Sequence, residues 1–140
     1  MALDRFTRNY LVFLGLLAAA ALGGWASTWS PRVGELNGKL ADDAVLTDYP
    51  YRFRVLALED GVATLTTPRS YEVPAVRFLG IIEPRLANRA PDDPEVVAAQ
   101  KRLAKHQGRA RKLVLAEPDV DRVRWQLDRD WYADHGVVLR

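Results

Sequence analysis

The residues best suited to binding chemistry are basic side chains in the last third of the chain. Six of them fall within twelve positions that hold no acidic residue: Lys101, Arg102, Lys105, Arg109, Arg111 and Lys112. On a helix, Lys101, Lys105 and Arg109 lie near one face, and Lys112 joins them. Anionic lipid headgroups could bind there, at about 1 kcal/mol per charge close to the surface. A structural interpretation competes, because basic residues toward a helix C-terminus also stabilise its dipole.

The residues that catalysis would need occur without suitable partners. His106 and His135 have no second ligand at a spacing typical of a metal site, and the three serines lack a nucleophile-elbow pattern. No glycine-rich phosphate loop is present. Carboxylates between positions 119 and 134 alternate with arginines, which favours surface ion pairs over a paired acid and base. We therefore expect no enzyme activity, no cofactor, no metal and no small-molecule substrate, with a small hydrolase or transferase as a remaining alternative.

The length, composition and charge of the chain limit the class of protein to which it can belong. The chain has 140 residues, enough for one modest domain, and 49% are hydrophobic and 27% charged, as in folded proteins. There is no cysteine, which excludes disulfides, thiolate metal sites and a cysteine nucleophile. The formal net charge is only +2, so nucleic acid is not an expected partner.

An uncharged segment of 20 residues, Tyr10–Trp29, precedes the polar part of the chain. As a helix it would span the roughly 30 Å hydrocarbon core of a bilayer. Trp25 and Trp29 lie near its far end, where their rings favour the membrane interface. Arg5 and Arg8 before the segment outnumber Arg32 after it, which favours a cytoplasmic N-terminus. These features predict a single-pass protein of the bacterial inner membrane, divided into a cytoplasmic N-terminus (1–9), a signal-anchor helix (10–29), a linker (30–34) and a periplasmic domain (35–140).

A cleaved signal peptide is the alternative for the same segment. The basic residues would be its first region, Leu11–Leu22 its apolar core, and Gly24-Trp25-Ala26 a small-x-small cleavage site. If the helix is retained, Ala18–Ala21 and Gly23-Gly24 form a small-residue surface. That surface could admit another membrane helix, although small residues are also common in any weakly hydrophobic span.

Asp60-Gly61 predicts a β-hairpin with a two-residue type I′ turn. In that register Glu59 faces Val62, Leu58 faces Ala63, and Leu56 faces Leu65. The expected core face holds Leu56, Leu58, Ala63 and Leu65. The opposite face holds Tyr51, Phe53, Val55 and Val62 and would need cover from the segment inserted after the hairpin, a partner or a membrane. Phe53, Val55 and Val62 are therefore candidate binding residues.

The remaining pattern predicts an α+β fold. Leu36 and Leu40 indicate a short helix, and Val73, Val76, Leu79, Ile82 and Leu86 fit a helix loosely, with a strand over 75–82 as the alternative. A long helix is expected from Pro94 to about Leu115, capped by Asp92 or Asp93. A half-buried strand follows over 120–127, and the tail with Trp131, Tyr132 and the apolar run 137–139 is expected to form an edge strand or a docking arm.

The order helix, hairpin, helix, strand resembles the BON domain family (bacterial OsmY and nodulation). The resemblance covers roughly residues 35–127 and rests on these positions: Leu36, Leu40, Leu56, Leu58, Gly61, Ala63, Leu65, Val120 and Val123. It implies a BON-like αββαβ domain with one hairpin and one long helix. It further implies a periplasmic or membrane-associated module that binds phospholipid or partner proteins without catalysis. No functional residue of the family can be carried over.

Two functional hypotheses follow. The first is a membrane-anchored periplasmic binding module that contacts anionic phospholipid or an envelope protein through Lys101, Arg102, Lys105, Arg109, Lys112 and the second face of the hairpin. The second is a single-span accessory or assembly subunit of a larger inner-membrane complex. The small-residue surface and the aromatic tail motivate it.

Overall fold

The computed structural model describes residues 4–28 and 30–140. The chain divides into two compact units between Pro31 and Arg32. The N-terminal unit contains helix α1 (Arg5–Thr28), in which the segment Arg5–Gly24 has a mean hydropathy of 1.4 and no buried part. This segment is long and apolar enough to be a membrane span or a signal sequence, as predicted. The side chain of Trp25, and all of Trp29, lie outside the described residues.

The C-terminal unit mixes helices with a sheet, which confirms the predicted combination of α and β structure. Its helices are α2 (Pro31–Asp42), α3 (Ala44–Thr47), α4 (Ala75–Ile82), α5 (Pro94–Leu115) and α6 (Arg129–Asp134), with a 3-10 turn at Pro84–Leu86. Its strands are β1 (Val55–Glu59), β2 (Val62–Thr67) and β3 (Arg122–Leu127). The sheet order is β1-β2-β3, with β1 antiparallel and β3 parallel to the central β2. Residues 31–34, expected in a linker, form the first turn of α2.

The hairpin turn is confirmed at Asp60-Gly61. Both residues have positive φ, 49° and 77°, as a type I′ turn requires. Glu59 pairs with Val62 and Leu58 with Ala63, as predicted. The carboxylate of Asp121 packs so closely on Gly61 that a Cβ there would lie 2.2 Å from its Oδ2 atom. Glycine is therefore required at this position by backbone conformation and by packing.

The predicted register fails at the other end of β1, where a bulge lies between Val55 and Ala57. Leu65 pairs with Val55 instead of Leu56. A bulge inserts one extra residue and reverses which side chains face the core. Leu56 is therefore 44% exposed, whereas Val55 and Phe53 are 2% and 5% exposed in the core. The prediction that Phe53 and Val55 lie on an uncovered face was wrong.

The predicted helices are confirmed around this sheet. Helix α5 buries the expected stripe: Val96, Ala99, Leu103, Ala110 and Val114. Helix α4 buries Phe78 and Leu79, so the alternative strand over 75–82 is excluded. Burying these faces removes apolar surface from water and supplies the main stabilising contribution of the core.

The tail forms neither a strand nor a free arm. It folds into α6, which is capped by Asp128 through a hydrogen bond from the Trp131 N–H. Tyr132 is fully buried and its hydroxyl donates to the Pro68 carbonyl. Val137 and Leu139 pack on the core. The aromatic residues of the tail therefore stabilise this unit itself.

Candidate functional site

Helix α5 carries the six basic residues of positions 101–112, which we call the basic cluster. Its sequence determines which face of the helix is buried and which is exposed. Asp93 caps the first turn by accepting a hydrogen bond from the Glu95 N–H at 2.9 Å, and Pro94 occupies the first turn. The buried apolar stripe fixes the inner face of the helix. At about 100° per residue, Lys101, Lys105 and Lys112 fall within about 40° of one another on the opposite face. All three are exposed, and we call them the basic ridge.

Two predicted members of the cluster are engaged elsewhere. Arg102 forms an ion pair with Glu83 at 3.1 Å, at the end of α4. Arg109 is half-buried and donates from Nη2 and Nε to Asp43 Oδ2, at 2.6 and 3.1 Å. Asp43 also caps α3 through its other carboxylate oxygen, so the contact with Arg109 joins α5 to the start of α3. Both arginines therefore serve the fold, through ion pairs with other elements and not through the helix dipole that the structural interpretation invoked.

The contact between Arg109 and Asp43 also has an electrostatic signature. The hydrogen bond from Arg109 holds the pKa of Asp43 below its ordinary value of 3.8. In return, the hydrogen bond to Asp43 raises the pKa of Arg109. Each group stabilises the charged form of the other, so neither is available to an external ion.

The basic ridge has no such partners. Among residues 4–28 and 30–140, no side chain makes an ion pair or hydrogen bond with Lys101, Lys105 or Lys112. Arg111 is exposed on the flank of the ridge and is equally unpaired within the same residues. Four unneutralised positive charges therefore remain on one side of the helix and are free to interact with an anionic surface.

The second face of the sheet is not the apolar surface that the sequence suggested. Of the three candidate binding residues only Val62 lies there, half-buried. Its neighbours on β2 and β3 are polar, and Arg124 donates from Nη2 to Thr64 Oγ1 at 3.2 Å. Arg122 is exposed beside them. This face therefore does not need apolar cover.

Both histidines have structural roles that their sequence spacing did not suggest. His106 Nδ1 lies 2.6 Å from the Arg102 carbonyl, and its ring stacks on Tyr49 with centroids 4.2 Å apart. His135 repeats the arrangement with the Trp131 carbonyl at 2.7 Å and the Trp131 ring at 3.9 Å. Since a carbonyl only accepts, Nδ1 carries the proton in each ring. Among the described residues, no group of three histidines and carboxylates is placed to hold a metal ion.

One buried polar contact was missed by the sequence analysis. Tyr51 is 1% exposed, and its hydroxyl donates to Asp128 Oδ2 at 2.9 Å. Burial raises the pKa of Tyr51, so it stays protonated. Arg54 approaches the same carboxylate at 3.6 Å. Only the capping position of Asp128, three residues before Trp131, could have indicated a structural role from sequence.

No protein-family model matches the chain, no curated protein matches it, and no solved structure matches it. The resemblance to BON domains therefore stays a prediction.

Proposed function

We propose that this chain is a membrane-anchored, non-catalytic binding module whose C-terminal unit contacts anionic phospholipid through the basic ridge. The observation that carries the proposal is that some basic residues of α5 are paired with carboxylates while others have no partner among the described residues. Arg102 and Arg109 are held by carboxylates, whereas Lys101, Lys105 and Lys112 project from the face opposite the buried stripe of α5 without partners among the described residues. The proposed location is the bacterial inner membrane, with the N-terminus in the cytoplasm and the C-terminal unit in the periplasm.

Two further features support this function. Helix α1 can serve as a membrane span, and a retained span would keep the C-terminal unit at high local concentration near lipid. Weak contacts suffice under that condition, since each basic residue near an anionic surface contributes about 1 kcal/mol. The BON-like order of elements is consistent with such a module.

The absence of cysteine in the chain permits a direct test. The full chain carrying Ala104→Cys, an exposed position on α5, is spin-labelled and placed in nanodiscs of phosphatidylglycerol or phosphatidylcholine. We expect the label to gain accessibility to membrane-dissolved oxygen only in phosphatidylglycerol, and to lose it as added salt screens the charges. Lys101→Glu with Lys105→Glu should abolish the gain.

The matched control reverses two exposed charges elsewhere, Arg122→Glu with Arg140→Glu, and should leave the gain intact. Equal accessibility in the two lipids would contradict the proposal. So would a gain that survives the reversal of the ridge charges.

A further inference from the structure

A cleft with a volume of about 300 Å³ opens between α2, α3 and the segment that enters β1. Leu40 and Leu46 form its apolar wall on the side of the helices. Three consecutive residues, Arg52, Phe53 and Arg54, line its other wall. In an extended segment, successive side chains point to opposite sides. Since these three consecutive residues line one cleft, we infer that the main chain between them forms part of its wall.

Asn37 shows which groups that wall presents. Its side-chain Oδ1 accepts from the Val55 N–H at 2.7 Å, and its Nδ2 donates to the Val55 carbonyl at 2.9 Å. The amide of Asn37 thus pairs with both main-chain groups of Val55, as a residue of a neighbouring strand would. Strand β1 is an edge strand, and Asn37 occupies its outer edge at this one position.

The main chain beyond Asn37 is open to the same kind of pairing. The main-chain groups of Arg54 point toward β2, since its N–H donates to Thr66 Oγ1 and its carbonyl accepts from the Thr66 N–H. The main-chain groups of Phe53 therefore point to the outer side of the strand, as those of Val55 do. Within residues 4–28 and 30–140, the N–H and carbonyl of Phe53 have no hydrogen-bonding partner. Unpaired main-chain groups on the outer side of an edge strand are available to a strand that adds to the sheet.

Charge at the rim indicates what that partner carries. Arg52 is exposed and has no ion pair with any described residue. Arg54 shares a carboxylate only at 3.6 Å. Two guanidinium groups beside an apolar cleft are complementary to a segment that carries a carboxylate near an apolar side chain.

We propose that this cleft binds an extended segment of a partner protein, with an apolar side chain inside it and an acidic residue on Arg52. The segment pairs with the main chain of Phe53 and so continues the sheet edge that Asn37 occupies at Val55. A hydrocarbon chain would leave these main-chain groups unpaired, which is why a peptide fits the cleft better than a lipid tail. The inference is independent of the basic ridge.

A random heptapeptide library selected on the full chain in nanodiscs tests the proposal. We expect enriched sequences that combine apolar and acidic residues, and slower hydrogen exchange at the Phe53 amide when such a peptide binds. Ala41→Trp, which fills the cleft from an exposed position of α2, should weaken binding of the enriched peptide by about tenfold or more. Arg52→Glu should do the same, and Thr47→Trp replaces Ala41→Trp if that variant unfolds.

Arg122→Glu is the matched charge control and Lys105→Glu separates the cleft from the basic ridge, so neither should change peptide affinity. Failure to enrich peptides over the Ala41→Trp chain would overturn the proposal. Enriched peptides without acidic residues, or with affinity indifferent to Arg52→Glu, would also overturn it. Titration with dodecanoate covers the other occupant: saturable binding that Ala41→Trp removes, without any enriched peptide, would make the cleft a lipid site.

Discussion

The basic residues of α5 have the same sign of charge, but their surroundings divide them by role. Arg109 meets Asp43 with two hydrogen bonds, and only 9% of the Asp43 side chain is exposed. Lys105 is exposed, and its side chain has no ion pair or hydrogen bond with any described residue. The sequence predicts a basic helix face from spacing alone. It does not predict which members are neutralised, because Asp43 lies 66 positions away along the chain.

We expect Arg109→Ala to lower the thermal unfolding midpoint of the C-terminal unit, because it leaves Asp43 largely buried without its partner. Lys105→Ala, at an exposed position of the same helix, should change the midpoint little. Circular dichroism of the full chain in detergent would measure both. Arg109→Lys should restore the midpoint only in part, since an ammonium group cannot place two donors as the planar guanidinium does on Asp43 Oδ2. Equal midpoints for the two alanine variants would show that the contact is not stabilising.

The hairpin shows which features of an element a sequence can predict. Asp60-Gly61 is a local signal, because the turn needs positive φ at both residues and few residue types tolerate it. The bulge beside Leu56 has no such signal. At this end of β1 the main chain of Val55 pairs with Asn37, which lies 18 positions away along the chain. The face assignment of Phe53 and Val55 failed for this reason.

Gly61→Ala should destabilise the hairpin by more than backbone conformation alone requires. A left-handed conformation costs an alanine roughly 1–2 kcal/mol. Gly136 has a similar φ of 74° but open space around its Cβ position, so Gly136→Ala reports the backbone contribution alone. The excess for Gly61→Ala measures the contact with the Asp121 carboxylate. Urea unfolding of both variants would give the two free energies, and equal losses would exclude a role for Asp121 in the turn.

At the scale of the molecule, the sequence predicted what depends on long apolar patterns. It identified the apolar helix near the N-terminus, the mixture of α and β structure, and the 22-residue helix α5. It misread the tail, because the capping of α6 by Asp128 and the burial of Tyr132 depend on contacts with distant residues. The sequence does not predict the cleft beside β1 for the same reason, since its walls come from α2, α3 and the segment that enters β1.

Stability of the C-terminal unit should also depend on acid. Hydrogen bonds from Lys39 and then Arg32 hold the pKa of Glu117 below its ordinary 4.5, and a hydrogen bond from Arg32 lowers that of Asp119 below 3.8. Since the folded pKa values are lower, the unfolded chain binds more protons, so this stability is present above about pH 4.5 and is lost as pH falls through the folded pKa values. The unfolding midpoint, followed by tryptophan fluorescence, should therefore fall on acidification below that pH. Arg32→Gln should lower the midpoint at neutral pH and flatten the acid dependence, whereas Arg122→Gln should alter neither. An unchanged slope in Arg32→Gln would assign the acid sensitivity to other carboxylates.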